Sequence, residues 1–288
     1  MKRALGLGKV FLLIFCTAFQ GHFPGLEPYA AYAAQKSYTI GVVPQFEQRK
    51  LHATWKPIIE DLERRTGLAF DLNSTLTIEA FEKAIERGEF DFLYMNPYHI
   101  VQVHDKQGYI PLVADKAPLR GILVVRKDSA IQSPADLNGK VVAFPSPNAI
   151  GATLLPMSDL GQLFQATVRP LYVKTHSSVY LHVAKDLAAA GGGVEKTLQE
   201  QSEELRSVLR IIYTTRSFPS HPVAAHPRVS RDVREKVRRA LLDMNNTPEG
   251  RAMLQKVPVE QFISVTYDDY KVMSSWGLEK YWQPVSGD

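Results

Sequence analysis

Short apolar runs alternate with amphipathic stretches along this chain, and this alternation restricts the fold more than any single motif. Residues 38–43 predict a strand, and residues 55–65 predict a helix that ends at Gly67. The alternation continues in a second series, which includes a predicted strand at residues 141–144. Strands that alternate with helices are typical of mostly parallel α/β sheets. In a chain of 288 residues, two such series predict two α/β lobes with a cleft between them.

The first residues predict an export signal. Lys2, Arg3 and Lys9 supply positive charge beside an apolar core at residues 10–19, which is shorter than the about 20 residues of a membrane span. We expect residues 1–34 to form a signal peptide and the mature protein to be periplasmic. An uncleaved N-terminal anchor is the alternative.

The only cysteine, Cys16, lies within the predicted signal peptide. The mature body would therefore contain no disulfide, no catalytic thiol and no cysteine metal cluster. Export without any disulfide is compatible with a bacterial periplasm.

Charge and motifs argue against several classes of function. The net charge of +4 is small, and no basic run is interleaved with aromatic residues, so we expect no nucleic-acid partner. Three glycines at residues 191–193 lack the spacing of a phosphate-binding nucleotide loop, which favours a plain turn there. His221 and His226 are five residues apart and do not form the helical pair of a metalloprotease. Without a Gly-x-Ser-x-Gly elbow either, the sequence predicts no catalytic residue, no metal and no cofactor.

Residues that directly follow predicted strands are the candidate ligand contacts, because open α/β sheets bind ligands at the carboxyl ends of their strands. Tyr94, Asn96 and Tyr98 follow the third predicted strand and open a helix. Tyr and Asn side chains offer directed hydrogen bonds. The alternative is that Tyr94 packs in the core and Asn96 only caps the helix.

Pro147, Asn148 and Ala149 form a turn between the strand at residues 141–144 and a predicted helix that begins near Asn148. This geometry directs free backbone N–H groups at one point, which suits an anion. The alternative is an ordinary turn whose asparagine caps the helix. After the next predicted strand, His176 and Ser177 could donate to a ligand oxyanion, although a lone histidine is more often structural.

Taken in order, several short segments resemble a known family. They are Trp55-Lys56-Pro57, Gly88-Glu89-Phe90-Asp91-Phe92, Asp136-Leu137-Asn138-Gly139-Lys140, Pro147-Asn148, Thr175-His176 and Thr247-Pro248-Glu249-Gly250. The family is that of the substrate-binding proteins of phosphate, phosphite and phosphonate ABC transporters. The resemblance implies an α/β, two-lobed periplasmic binding protein fold (type II) with the ligand cleft between lobes that close by a hinge motion. Lobe 1 would comprise residues 35–120 plus 218–288, lobe 2 residues 121–217, and the hinge would lie near residues 120–122 and 214–217.

One departure from the family pattern bears on the ligand. Phosphonate binders of this family carry Ser-Thr-Ser after the Pro-Asn turn, whereas this chain has Ala149, Ile150 and Gly151. Three hydroxyl donors are missing, each worth about 1.5–3 kcal/mol towards a charged partner. The resemblance thus implies either other donors or another oxyanion.

The function that we expect is capture of a small oxyanion for the membrane permease of an ABC transporter. A sensory binding protein that partners a membrane histidine kinase is the alternative. An enzyme on the same fold is a third possibility, and there the loss of His176 would abolish turnover.

Overall fold

The structure is a computed structural model that describes residues 36–257 and 259–284. The predicted signal peptide at residues 1–34 lies outside the described residues. The strands are β1 (Ser37–Val42), β2 (Ala69–Asn73), β3 (Phe92–Tyr94), β4 (Ile110–Asp115), β5 (Leu119–Arg126), β6 (Val141–Phe144), β7 (Arg169–Tyr172), β8 (Ala190–Val194), β9 (Leu209–Phe218), β10 (Pro222–Ala225) and β11 (Phe262–Ser264). The helices are α1 (Gln48–Thr66), α2 (Ile78–Glu86), α3 (Pro97–Gln107), α4 (Leu155–Leu163), α5 (His176–Ala184), α6 (Glu195–Gln199), α7 (Glu203–Ser207), α8 (Arg231–Asp243) and α9 (Pro248–Lys256).

The strands form two sheets, in agreement with the predicted two-lobed α/β class. One sheet has the order β11-β4-β10-β3-β1-β2, and the other has the order β7-β6-β8-β5-β9. We call the first sheet with its helices lobe 1 and the second sheet with its helices lobe 2. The chain passes between the sheets at residues 116–118 and 219–221. Residues 120–122 and 214–217, which we expected at the hinge, lie inside β5 and β9, and these strands pair in antiparallel fashion.

Helix α1 illustrates how the sequence pattern becomes core packing. Trp55, Ile58 and Leu62 recur at helical spacing and are each buried against lobe 1. The helix ends where Gly67 adopts a left-handed φ of 65° and donates its N–H to Glu63 O. Its start at Gln48 precedes the predicted one.

The three glycines at residues 191–193 lie inside strand β8, so the prediction of a plain turn there is wrong. They permit a close approach of backbone to backbone. A Cβ on Gly192 would lie 1.9 Å from Ala152 O, and a Cβ on Gly121 in β5 would lie 2.1 Å from Gly151 O. Both oxygens belong to a π-helical segment, Ile150–Leu154, which therefore rests directly on the sheet of lobe 2.

The predicted helix start at Asn148 is also wrong. The π-helical segment Ile150–Leu154 comes first, and the carbonyl of Ala149 accepts the N–H groups of Thr153 and Leu154 at 2.8 and 3.1 Å. Helix α4 then continues from Leu155. The side chain of Asn148 caps nothing, because tertiary partners engage it. Within residues 36–257 and 259–284, no helix has the length and apolar character to cross a membrane.

Candidate functional site

Two small adjoining cavities lie between the sheets. The first, of about 20 Å³, is lined by Val43, Gln45, Ile78, Asn96, Ala149, Ile150, Gly151, Ala152, His176, Val194, Phe218 and His221. The second, of about 30 Å³, shares Gln45, Val194 and His221 with it and adds Phe46, Tyr94, Asp115, Leu119, Lys196, Thr197, Ser220, Val257 and Val259. A cavity needs roughly 10–15 Å³ to hold a water molecule, so each has room for one or two. A larger ligand enters only if the two lobes move apart.

His176 faces the first cavity from lobe 2. It is the first residue of α5, whose preceding residue Thr175 caps the helix by accepting the N–H of Ser178 at 3.1 Å. The histidine is 4% exposed, and its Nδ1 lies 3.3 Å from Thr197 Oγ1. Burial lowers the pKa of His176 to about 4, so its ring is neutral at pH 7.

His221 faces the same cavity from lobe 1, just before β10. Its ring stacks on Tyr94 at a centroid distance of 5.3 Å, and its Nε2 lies 2.9 Å from Gln45 Nε2. Burial, with smaller contributions from His176, His99 and Lys196, lowers the pKa of His221 to about 3. The cavity therefore has one neutral histidine on each wall.

Four of the predicted site residues line these cavities: Tyr94, Asn96, Ala149 and His176. Asn96 caps the helix, as its alternative interpretation predicted, and its role as a ligand contact stays a prediction. Its Oδ1 accepts the N–H of Tyr98 at 3.0 Å and so caps α3, while its Nδ2 donates to Asn148 O at 3.2 Å. The second bond joins lobe 1 to lobe 2 at the edge of the cavity.

The other predicted residues, Tyr98, Pro147, Asn148 and Ser177, line neither cavity. Tyr98 is 1% exposed and packs edge-on against Trp282 at 5.7 Å. Ser177 is half-buried in the first turn of α5.

Pro147 and Asn148 line an outer pocket of about 220 Å³ instead. The Nδ2 of Asn148 donates to Glu82 Oε2 at 2.9 Å and to Gln283 O at 2.8 Å, and its Oδ1 accepts the N–H of Gln283 at 2.9 Å. The amide of Asn148 is therefore fully used in connecting the two lobes and the C-terminal segment.

A buried ion pair also crosses the cleft. Lys196 of α6 bonds to Asp115, whose carboxylate is 4% exposed and accepts the N–H groups of Glu260 and Gln261 at 3.1 Å each. The exposed pair between Lys50 of α1 and Glu200 crosses the same cleft with an N–O distance of 3.7 Å.

Sequence reasoning missed His221, Lys196 and Asp115 as cleft residues. Asp115 ends β4 and Lys196 follows β8, so both lie at carboxyl ends of strands, but no local pattern pairs residues that are 81 positions apart. His221 instead precedes β10, which runs antiparallel to β3, with Val223 opposite Tyr94. The residue that precedes β10 therefore lies at the edge where β3 ends. Gln45 follows the strand predicted at residues 38–43 and so lies where the carboxyl-end rule places ligand contacts.

The wall of the cavity formed by Ala149, Ile150 and Gly151 contributes no hydroxyl. A Cβ on Gly151 would lie 2.6 Å from the ring of Phe218 and 2.9 Å from Val194, so no side chain fits there. Among the residues that the structure describes, no group of three or more His, Cys, Asp and Glu is placed to hold a metal ion.

Comparison with known proteins shows the family of the chain. Residues 40–270 match a family model described as "ABC transporter, phosphonate, periplasmic substrate-binding protein". The chain is 21% identical over 247 residues to the phosphonates-binding periplasmic protein of Escherichia coli (strain K12), which covers 81% of this chain and 73% of that protein. It is 22% identical over 246 residues to the tetrathionate sensor histidine kinase TtrS of Salmonella typhimurium, which covers 76% of this chain but 41% of that protein.

Among solved structures, the methylphosphonate complex of PhnD1 from Prochlorococcus marinus has the same fold, with a TM-score of 0.77 at 14% identity over 85% of this chain and 98% of that chain. Because the matched family model spans most of the sequence, the chain belongs to the periplasmic substrate-binding proteins of the phosphonate ABC transporter family.

Proposed function

We propose that this protein binds a small oxyanion between its two lobes and delivers it to the membrane permease of an ABC transporter. The observation that carries the proposal is the cavity that His176 and His221 face from opposite lobes. A ligand that contacts both walls binds the closed arrangement more tightly than the open one and therefore stabilises closure.

Anion binding is supported by the position of His176 at the start of α5. The first N–H groups of a helix have no partner within the helix, and the helix dipole favours negative charge there. We assign the backbone N–H of His176, which lines the cavity, as a donor from lobe 2, and Ser177 would support the site from outside it. From lobe 1, the side chains of Gln45 and Asn96 offer amide donors at the same cavity.

Of the remaining predicted contacts, we propose that Tyr94 and Ala149 shape the cavity by packing. Tyr98, Pro147 and Asn148 would support the site from outside it. The cross-cleft bonds of Asn96 and Lys196 would break when the lobes separate to admit the ligand.

Thermal unfolding tests the proposal. Phosphate, phosphite, methylphosphonate, sulfate and arsenite would each be added at millimolar concentration. A ligand at 100 times its Kd stabilises the folded state by about 2.7 kcal/mol. That raises Tm by about 5 °C in a protein of this size.

His176→Ala should abolish the Tm increase, whereas His182→Ala should retain it. His182 lies on the same helix, half-buried, and its ring bonds to Ser178 O rather than lining the cavity. If no anion raises Tm in the wild type, the oxyanion proposal is wrong.

Sensing is the second candidate function, and the match to the tetrathionate sensor histidine kinase supports it. In that case the same closure would signal to a membrane histidine kinase instead of a permease. Neighbouring genes discriminate between the two: permease and ATPase genes favour uptake, and a histidine kinase gene favours sensing.

Export is part of both candidates. We propose that residues 1–34 direct the chain to the periplasm. Mass spectrometry of the protein recovered from a periplasmic fraction should find an N-terminus after this segment. An intact Met1 in that fraction would support the uncleaved alternative.

A further inference from the structure

We infer that this site selects the singly protonated form of a weak oxyacid, with the ligand O–H donating to Nε2 of His176. The inference rests on the proposed oxyanion function and adds the ligand class to it. Hydrogen phosphonates, hydrogen phosphite and monohydrogen phosphate belong to this class, whereas sulfate, which carries no proton near neutral pH, does not.

The tautomer of His176 follows from its neighbour Thr197. The Thr197 hydroxyl lies 2.8 Å from Val194 O and 2.7 Å from the hydroxyl of Tyr180, both closer than Nδ1 of His176 at 3.3 Å. The Thr197 proton goes to the Tyr180 hydroxyl, which in turn donates to Val194 O at 3.2 Å. The two lone pairs of the Thr197 oxygen then accept from Val194 N–H at 3.3 Å and from Nδ1–H of His176. Neutral His176 therefore carries its proton on Nδ1 and has a lone pair at Nε2.

That lone pair determines what can bind beside it. A fully deprotonated oxygen would place a lone pair against the lone pair of Nε2, and the two would repel each other. An oxygen that carries a proton would donate a hydrogen bond instead. Among the described residues, none bonds to Nε2 of His176, so this nitrogen is available to a ligand.

The needed proton resides more stably on the ligand than on the histidine. Burial holds the pKa of His176 at about 4. The second pKa of a phosphate group is about 6, so the equilibrium for transferring its proton to the His176 ring is unfavourable by a factor of about 100. The other titratable groups at the two cavities are His221, Tyr94, Asp115 and Lys196, and Lys196 is paired with Asp115.

His221, on the opposite wall of the cavity, needs no proton from the ligand. The amide nitrogen of Gln45 donates to Nε2 of His221, so neutral His221 carries its proton on Nδ1. The two histidines thus differ in role: Nε2 of His221 is already satisfied, and Nε2 of His176 requires a donor.

Isothermal titration calorimetry of the full chain tests this inference with inorganic phosphate, methylphosphonate and sulfate between pH 5.5 and 8. Affinity for methylphosphonate should weaken as pH rises above its second pKa, approaching tenfold per pH unit, because its last proton is lost. Phosphate keeps one O–H as monohydrogen phosphate up to pH 8 and should not weaken in this way. Titrations of methylphosphonate in two buffers of different ionisation enthalpy should show uptake of up to one proton at pH 8. Sulfate should bind at least tenfold more weakly than phosphate at pH 6.

His176→Gln should flatten the pH dependence and reduce the discrimination against sulfate, because an amide can donate to a deprotonated oxygen. His182→Gln, on the same helix outside the cavity, should behave like the wild type, and circular dichroism should show both variants folded. Affinity for methylphosphonate that is constant or rises with pH, or sulfate that binds as tightly as phosphate, overturns this inference while the proposed function stands. Binding of none of the three anions overturns the proposed function and this inference together.

Discussion

Replacing Lys196 with Met should show that a buried cross-cleft ion pair contributes more to the free energy of unfolding than an exposed one. Lys196 and Asp115 join the two lobes with side chains that are 20% and 4% exposed. Lys50 and Glu200 cross the same cleft with side chains that are 44% and 30% exposed. The two pairs differ in burial and in contact, because Lys196 hydrogen-bonds Asp115 whereas Lys50 and Glu200 lie 3.7 Å apart. Lys50→Met is the control for a loose, exposed pair across the same cleft.

The magnitude follows from the environment of Asp115. Removing one partner of a buried pair typically costs about 3–5 kcal/mol, because the remaining charge stays desolvated. Asp115 retains two backbone N–H donors, from Glu260 and Gln261, so we expect the lower end, about 3 kcal/mol. For the exposed pair we expect about 0–1 kcal/mol.

Urea denaturation measures both free energies of unfolding. The double variant Lys196→Met with Asp115→Asn should recover at least about 1 kcal/mol relative to the single variant, because no uncompensated carboxylate remains. A cost below about 1 kcal/mol for Lys196→Met, or one equal to that of Lys50→Met, would refute the reasoning that burial makes this pair important.

Three further perturbations probe packing, polar connection and titration. Gly192→Ala should lower the free energy of unfolding by about 3 kcal/mol or more, because its Cβ would lie 1.9 Å from a backbone oxygen. Gly161→Ala in α4 is the control and should be nearly neutral, because its Cβ meets only the Tyr281 hydroxyl at 3.2 Å. Chemical denaturation measures both free energies. Asn148→Asp should lower the Tm of the protein more at pH 7 than Asn148→Ala does, because a carboxylate would face Glu82 Oε2. Lowering the pH should narrow this difference in Tm between the two variants. Burial lowers the pKa of His221 to about 3, whereas the value in the unfolded chain is about 6.5. Between these two values the unfolded state binds more protons than the folded state. The free energy of unfolding should therefore fall from pH 6.5 towards pH 3, by up to about 1.4 kcal/mol per pH unit for this group. His221→Gln should reduce that slope in unfolding measured at pH 4–7, and an unchanged slope would contradict the assignment.

The two-sheet α/β architecture could be predicted from sequence because apolar periodicity is local. The glycines at residues 191–193 could not be placed in β8 that way, since glycine gives no apolar signal in a strand. Gly192 lies against the π-helical segment Ile150–Leu154, which leaves no room for a side chain beneath it, and Gly191 and Gly193 lie against Val179 and Tyr180 of α5.

The candidate site was partly predictable for a similar reason. Tyr94, Asn96 and His176 follow strands in the chain, and the structure places them at the cavities. The contacts across the cleft could not be predicted, because their partners are distant in sequence. Lys196 lies 81 residues from Asp115, and Asn148 lies 135 residues from Gln283.

The helix-capping interpretation of Asn148 failed for the same reason. A capping asparagine and a tertiary asparagine look identical in the sequence. The difference is made by the carboxylate of Glu82 and the backbone of Gln283, which together occupy the amide.

A crystal structure grown with the anion that raises Tm most would test ligand capture between the lobes most directly. We expect density for that anion between His176 and His221, with the N-terminus of α5 directed at it and Lys196 still paired with Asp115. Density for the anion outside the cleft, with this cavity unchanged, would contradict the proposed binding site.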